Sequence, residues 1–296
     1  MNELYIAPGV EAGIDMGYAF VKAVYGESTA KSIANKLEYI PENDPSHDPF
    51  AAIYGLVPSS KSHSISPAPP LPTAGFQSRW GILAYPGFIT LDAIGAATFA
   101  ECFCKRPEFP CSLSLIAPTP GAVRPFTSPS EGGMQLAPTH TIENAPLDLD
   151  VLIVPGLPTA GPFPYHDELV SYIQKAYPTV KRVISIGTGS MLLAAAGVLD
   201  SRRATTSKSV FDAATAPFRQ RERNITWTTG RWVRDGNVWT ASGTAAGLDA
   251  ANALCIEMFG ETLTRNAADL MEHVPRTDAS DDLFAEIWGV NTAQRA

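Results

Sequence analysis

A chain that contains part of itself twice cannot be read as one uniform fold. Residues 7–55 align with residues 241–289 at a constant offset of 234, without gaps, and 18 of the 49 positions are identical. Chance would give about three, so the two stretches are a duplication. The shared positions include Gly9/Gly243, Gly13/Gly247, Asp15/Asp249, Gly26/Gly260, Glu27/Glu261, Phe50/Phe284 and Gly55/Gly289. Each copy reads as two helices, over 10–25 and 28–37 in the first and over 244–259 and 262–271 in the second. The apolar face of the first copy (Ile14, Tyr18, Val21, Tyr25, Ile33, Leu37) has to be buried somewhere, which predicts docking on another surface.

The stretch between the copies occurs once. Residues 58–75 are rich in Ser and Pro with no apolar period, and read as an extended spacer. Division therefore falls into a partial repeat (1–57), a linker (58–77) and a full domain (78–296). Within that domain apolar runs at 80–85, 112–116, 151–154 and 183–186 read as strands. Helices are expected over 90–103, 167–176 and 190–197. Residues 117–146 read as irregular with a hairpin, and 233–239 as a hairpin turning on Asp235-Gly236. Strand–helix alternation predicts a parallel sheet covered by helices on both faces, with ligands beyond the carboxyl ends of the strands.

Composition narrows the function classes. With 45% hydrophobic and 18% charged residues among 296, the chain is globular. A net charge of −8 speaks against nucleic acid or an anionic membrane as partner. No apolar run reaches the roughly 20 residues of a membrane span. The N-terminus lacks a basic region followed by an apolar core, so the expectation is a cytoplasmic protein with reduced thiols at Cys102, Cys104, Cys111 and Cys255. The five histidines show no metal spacing, and neither a metal nor another cofactor is expected. Trp227, Trp232 and Trp239 read as core or interface.

Three segments lie where such a sheet would place a site. They are YPGFITLDAIGAATF, in which Asp92 opens a helix; DLDVLIVPGLPTAGP, a strand running into a Gly/Pro loop; and VISIGTGSMLLAAAGVLDSRRATT, a strand, a sharp Gly turn and a helix. In this order, with the RWVRDGNVWTASG hairpin and the AGLDAANAL helix, they resemble the ThiJ/PfpI family of class I glutamine-amidotransferase-like proteins, and its isocyanide-hydratase-like and fungal members most. The resemblance spans about residues 79–290. It implies an α/β, flavodoxin-like parallel sheet sandwiched by helices, here preceded by a helical partial repeat of its own C-terminal part. It also implies homodimers and a small-molecule substrate.

The same resemblance implies a catalytic cysteine at the strand-to-helix turn, in a V-C-T-G pattern. A helix start lowers a thiol's pKa. Here the turn reads Ile186-Gly187-Thr188-Gly189, so no thiolate can act from it. The family's Gly-Gly after the third strand is Gly156-Leu157-Pro158, Ser207 stands where relatives often place His or Asn, and Ala96 replaces a usual Pro. The carboxylate of the L-D-x-x-G context is kept as Asp92. The expectation is therefore non-covalent acid/base chemistry of hydro-lyase, isomerase or cyclase type on a small organic molecule, in secondary-metabolite tailoring by analogy. Asp92 would be the acid/base and Thr188 the group that positions or stabilises an oxyanion. Gly156, Leu157, Gly187, Gly189 and Ser207 would line the substrate.

Each choice has a plainer reading. Asp92 and Thr188 could simply cap helices. Gly187 could relax a turn in a protein that has become a non-catalytic binding or interaction protein. The Gly187-Thr188-Gly189 turn is a poor dinucleotide fingerprint, because position 192 is Leu and no acidic residue follows at the required distance.

Overall fold

The computed structural model describes residues 6–56, 77–104, 109–125, 134–157, 167–219 and 223–290. The linker at 58–75 and Pro158 lie outside them.

The chain opens with α1 (Val10–Tyr25), α2 (Glu27–Leu37) and the short α3 (Phe50–Ile53). Then come β1 (Ser78–Leu83), α4 (Thr90–Cys104), β2 (Cys111–Ala117), β3 (His140–Thr141) and β4 (Val151–Val154). The chain continues through α5 (Asp167–Ala176), β5 (Arg182–Ile186), α6 (Gly189–Ala195), β6 (Arg203–Ala204) and α7 (Phe211–Arg219). It ends with β7 (Thr226–Trp227), β8 (Trp232–Asp235), β9 (Val238–Ala241), α8 (Thr244–Phe259), α9 (Glu261–Leu270) and α10 (Leu283–Ile287).

Seven strands form one sheet in the order β3-β2-β1-β4-β5-β9-β8, parallel except for β8 at one edge. The β8–β9 hairpin turns at Gly236, whose φ of +63° suits glycine. The central strands are apolar on both faces. All of Val151, Leu152, Ile153 and Val154 are buried, as helix-covered parallel strands require. This is the α/β, flavodoxin-like arrangement expected, with helices before it. β4 and α5 occupy the residues expected, and β1 begins two residues earlier. Residues 117–146 hold one antiparallel bridge, Val123–Leu136, and also β3. The small β6–β7 pair and α7 were not foreseen. The three tryptophans are buried. Among the cysteines, Cys102 and Cys255 are outside any disulfide, as expected, but Cys104 and Cys111 form one. The end of α4 and the start of β2 hold their Cα atoms 5.2 Å apart, within bonding range.

The duplication is visible in the backbone. α1 and α8 have the same length, start after extended glycines (Gly9, Gly243) and stop at left-handed ones, Gly26 at φ +88° and Gly260 at φ +83°. Asp15 accepts from Glu42 N–H at 2.8 Å, and Asp249 accepts from Arg276 N–H at 2.9 Å, again 234 residues apart. Packing separates the copies. α8 lies against α4, β5, β9 and α9, and ten of its residues are buried; α1 buries none completely. The apolar face expected to be covered is only half-buried at Ile14, Tyr18, Val21 and Leu37, and Tyr25 and Ile33 are exposed. The reason is that α1 has no sheet of its own to lie on. Ala246 and Ala250, which face the core in α8, correspond to Ala12 and Met16, which line a cavity of about 1020 Å³.

This difference gives opposite expectations for one substitution made twice. A Cβ on Gly247 would stand 2.8–3.0 Å from three side-chain atoms of buried Ile186, whereas one on Gly13 meets nothing within 4 Å. Gly13→Ala should stabilise by about 0.5–1 kcal/mol through helix propensity. Gly247→Ala should destabilise by roughly 1–3 kcal/mol through overpacking. Urea unfolding of the two variants measures both; equal effects would contradict the packing described.

Candidate active site at the carboxyl ends of the central strands

The site is built where β4 and β5 end. β5 stops at Ile186, and Gly187 turns the chain at φ +54°, a left-handed conformation that glycine adopts freely. Its N–H bonds the Ala241 carbonyl at 3.0 Å, which ties the turn to the end of β9. Its carbonyl accepts from the hydroxyls of Ser190 at 2.9 Å and Thr206 at 3.2 Å. A Cβ on Gly187 would have the Ser242 carbonyl at 3.7 Å and Asp92 Oδ2 at 3.9 Å, both ordinary contacts. A side chain at this turn would thus point toward the carboxyl of Asp92, and the glycine leaves that direction open.

Asp92 stands in the first turn of α4 and is 1% exposed. Its Oδ2 accepts from Gly156 N–H at 2.9 Å and its Oδ1 from the Thr244 hydroxyl at 2.7 Å. One side chain therefore joins the start of α4, the loop after β4 and the start of α8. The loop before α4 is fastened to the same place, since Ile89 N–H donates to the Gly156 carbonyl at 2.9 Å. Burial pushes the Asp92 carboxyl up to about 6. Its two donors pull the other way, and the charge of Glu38 adds a little to the rise.

The other expected site residues are placed differently. Thr188 Oγ1 accepts from Leu157 N–H and donates to the Leu157 carbonyl, both at 2.7 Å. Its hydroxyl clamps the β4 loop to the β5 turn. The N–H groups of Gly156 and Leu157 are both taken, by Asp92 and Thr188. Gly156 and Gly189 are positions of close approach. A Cβ on Gly156 would stand 2.8 Å from Asp92 Oδ2, and one on Gly189 only 2.2 Å from the Val154 carbonyl. Ser207 pairs with Ser209 at 3.1 Å, and it is the neighbouring Thr206 that reaches Gly187.

Three residues at the site were missed from sequence. Thr244 holds Asp92. Ser242 donates its hydroxyl to Glu38, and Glu38 comes from the N-terminal repeat. Glu38 is 1% exposed, at φ +52°, and its Oε1 accepts from Lys208 N–H at 2.9 Å. Burial pushes its carboxyl up, while Lys208 draws it down. The Lys208 ammonium is buried and pairs with Asp282 at 2.9 Å. A signal for two of the three was available in the duplication. Ser242 and Thr244 correspond to Pro8 and Val10, so hydroxyls occur only in the copy that faces Asp92.

Comparison with known proteins agrees with this architecture. The model of the DJ-1/PfpI family matches residues 111–257. Isonitrile hydratase of Pseudomonas putida is 34% identical over 150 residues, which are 49% of this chain and 61% of that protein. The chain thus spans about three fifths of that relative's length. Among solved structures, a ThiJ/PfpI family protein from Pseudomonas syringae superposes with a TM-score of 0.59 at 24% identity, covering 79% of this chain and 96% of that one. DJ-1beta of Drosophila melanogaster gives 0.52 at 16% identity, covering 67% of this chain and 100% of that one. At these identities the two structures show the fold alone. The strand order and the similarity of residues 111–257 to the family's model agree on the fold of the DJ-1/PfpI family.

Proposed function

We propose that the chain acts on a small organic molecule by non-covalent proton transfer from Asp92, in a site whose turn carries Gly187 where relatives carry the nucleophilic cysteine. The observation that carries this reading is the Asp92 carboxyl itself. It is buried, raised to about 6, and 3.9 Å from the point a side chain on Gly187 would begin. A carboxyl titrating near neutral pH can both take and return a proton. Similarity to an isonitrile hydratase supports addition or removal of water as the reaction class. In such a step the carboxylate takes one proton from the attacking water as its oxygen bonds to carbon. The acid so formed returns a proton to the substrate, and Asp92 ends as it began. Isomerisation or cyclisation would use the same two transfers without water. Thr244, bonded to Asp92 Oδ1, fixes the carboxyl plane. Thr188 contributes by holding Leu157 and with it the loop that carries the Gly156 N–H. A secondary-metabolite substrate is the reading favoured by analogy.

One observation favours the rival reading, a binding or interaction protein that retains the fold. Both oxygens of Asp92 and the hydroxyl of Thr188 already have partners within the protein. The two readings separate on Asp92→Asn. Under the catalytic reading, turnover found against a metabolite panel, isonitriles included, falls at least a hundredfold while the fold is kept. Ligand binding without turnover in the unaltered protein, unchanged by Asp92→Asn, supports the rival.

The raised carboxyl also predicts a stability signature. Its folded-state pKa lies above 3.8, so the folded chain holds the proton more tightly. The stability this contributes is complete below about pH 4 and is lost as pH rises through about 6. Asn does not titrate. The unfolding free energy of Asp92→Asn relative to the unaltered protein should therefore rise by on the order of 3 kcal/mol between pH 4 and pH 7. Urea melts at several pH values measure it, and a flat difference would show that the carboxyl is not raised.

A further inference from the structure

Contacts between the two copies of the repeat come in exchanged pairs. A Cβ on Gly9 would fall 2.2 Å from Glu272 Oε2, and one on Gly243 would fall 2.6 Å from Glu38 Cδ. Both glutamates have left-handed backbones, φ +52° at Glu38 and φ +49° at Glu272. Each thus lies across the glycine that starts the other copy's first long helix. The Tyr54 hydroxyl donates to the Asp269 carbonyl at 3.0 Å, and Trp288 Nε1 donates to the Asn35 carbonyl at 3.2 Å. Under the offset of 234, Tyr54 corresponds to Trp288 and Asn35 to Asp269. When residue i of one copy meets residue j of the other, and j meets i, the two copies are related by a two-fold axis. That is the rule of a symmetric dimer, here obeyed inside one chain.

Other contacts secure the arrangement without obeying the symmetry. Glu11 Oε2 accepts from His273 Nδ1 and from Val274 N–H, each at 2.9 Å. Ala245 is the counterpart of Glu11 and cannot repeat this. Only one of the two exchanged glutamates meets a site. Glu38 takes the Ser242 hydroxyl and the Lys208 N–H beside Asp92, whereas Glu272 lies against Gly9, where no sheet stands.

We propose that the N-terminal repeat is a built-in half-partner: it covers, within the same chain, the face that the C-terminal helices would offer to a second copy, and through Glu38 it positions Ser242 and the start of α8 around Asp92. The surface on which two chains would pair by this symmetry is occupied in cis. One chain then carries one complete site, and Glu38 acts on the reacting region through its neighbours as a positioning residue. Docking stands independently of the chemistry proposed above, whereas the role of Glu38 rests on it.

The test uses the full chain with a protease site inserted in the 58–75 segment. Native mass spectrometry and sedimentation velocity before and after cutting should both give the mass of one chain, with the two pieces held together. Release of the N-terminal piece on cutting, or a two-chain particle before it, overturns the docking. Tyr54→Phe removes one exchanged bond and should weaken retention of the piece without moving the titration of Asp92. The second arm follows the Asp92 carboxyl by infrared difference spectroscopy, with Asp92→Asn identifying its band. Glu38→Gln keeps the shape and removes the charge, so the Asp92 midpoint should fall by roughly half a pH unit while the nicked pieces stay together. Should Glu38→Gln not fold, Ser242→Ala serves instead. A Glu38 carboxylate that loses a donor takes up a proton more readily, which moves Asp92 in the same direction. An unmoved midpoint in both overturns the part given to Glu38 and leaves the docking standing. Loss of turnover in Asp92→Asn is a separate result that neither arm decides.

Discussion

A buried carboxyl group with no cation beside it among the described residues governs this structure. Asp92 is held by one backbone N–H and one hydroxyl, and those donors belong to two segments far from it in sequence, Gly156 and Thr244. A buried carboxylate left unpaired is costly, so the loop after β4 and the start of α8 have to meet at the start of α4. The glycines follow from the same demand. Gly156 can have no side chain because the Asp92 carboxyl lies where a Cβ would be, and Gly247 brings α8 down onto Ile186 at the end of β5. The site is thus the place where the sheet's central crossovers are tied together, and the chemistry proposed for Asp92 would use the same group that holds the architecture.

Much of the sheet was legible because burial on both faces writes an unbroken apolar run. Val151–Val154, closed by Pro155-Gly156, was readable to the residue, and so was the amphipathic helix Asp167–Ala176. Elements of two residues, such as His140–Thr141 and Arg203–Ala204, are too short to show any period. The first pairs with the edge of β2, and the second with the equally short Thr226–Trp227. The Cys104–Cys111 bond follows from where the end of α4 and the start of β2 lie, and spacing alone does not announce it. In the site, Asp92 and the Gly187 turn were legible because each belongs to a local pattern. Glu38 was not, because its place is set by docking between segments 170 residues apart, from Glu38 to Lys208.

The duplication shows how far surroundings decide what a residue does. The two copies keep the same helix bounds, the same glycine caps and the same aspartate bonded to a backbone N–H at 2.8 and 2.9 Å. Local sequence therefore settles local structure in both. Burial is another matter, because a helix has a buried face only when something lies against it. α8 lies against the sheet and α4, and small residues at 246, 247 and 250 let it approach. α1 has the same register, yet Tyr18 is half-buried and Tyr25 exposed, and its corresponding face borders a cavity.

Glu38 and Glu272 carry that argument to the site. They are the same residue at the same place in two copies, both in left-handed conformation and both laid across a glycine of the other copy. Burial pushes both carboxyls up, but the groups that answer them differ. Glu38 meets a backbone N–H, a serine hydroxyl and the field of Lys208, while Glu272 feels mainly the charge of Asp48. Within the repeat the two differ by one group, since Ser242 offers Glu38 a hydroxyl that its counterpart Pro8 lacks. The rest of the distinction lies in residues 78–240, which occur once and bring Lys208 to Glu38 alone.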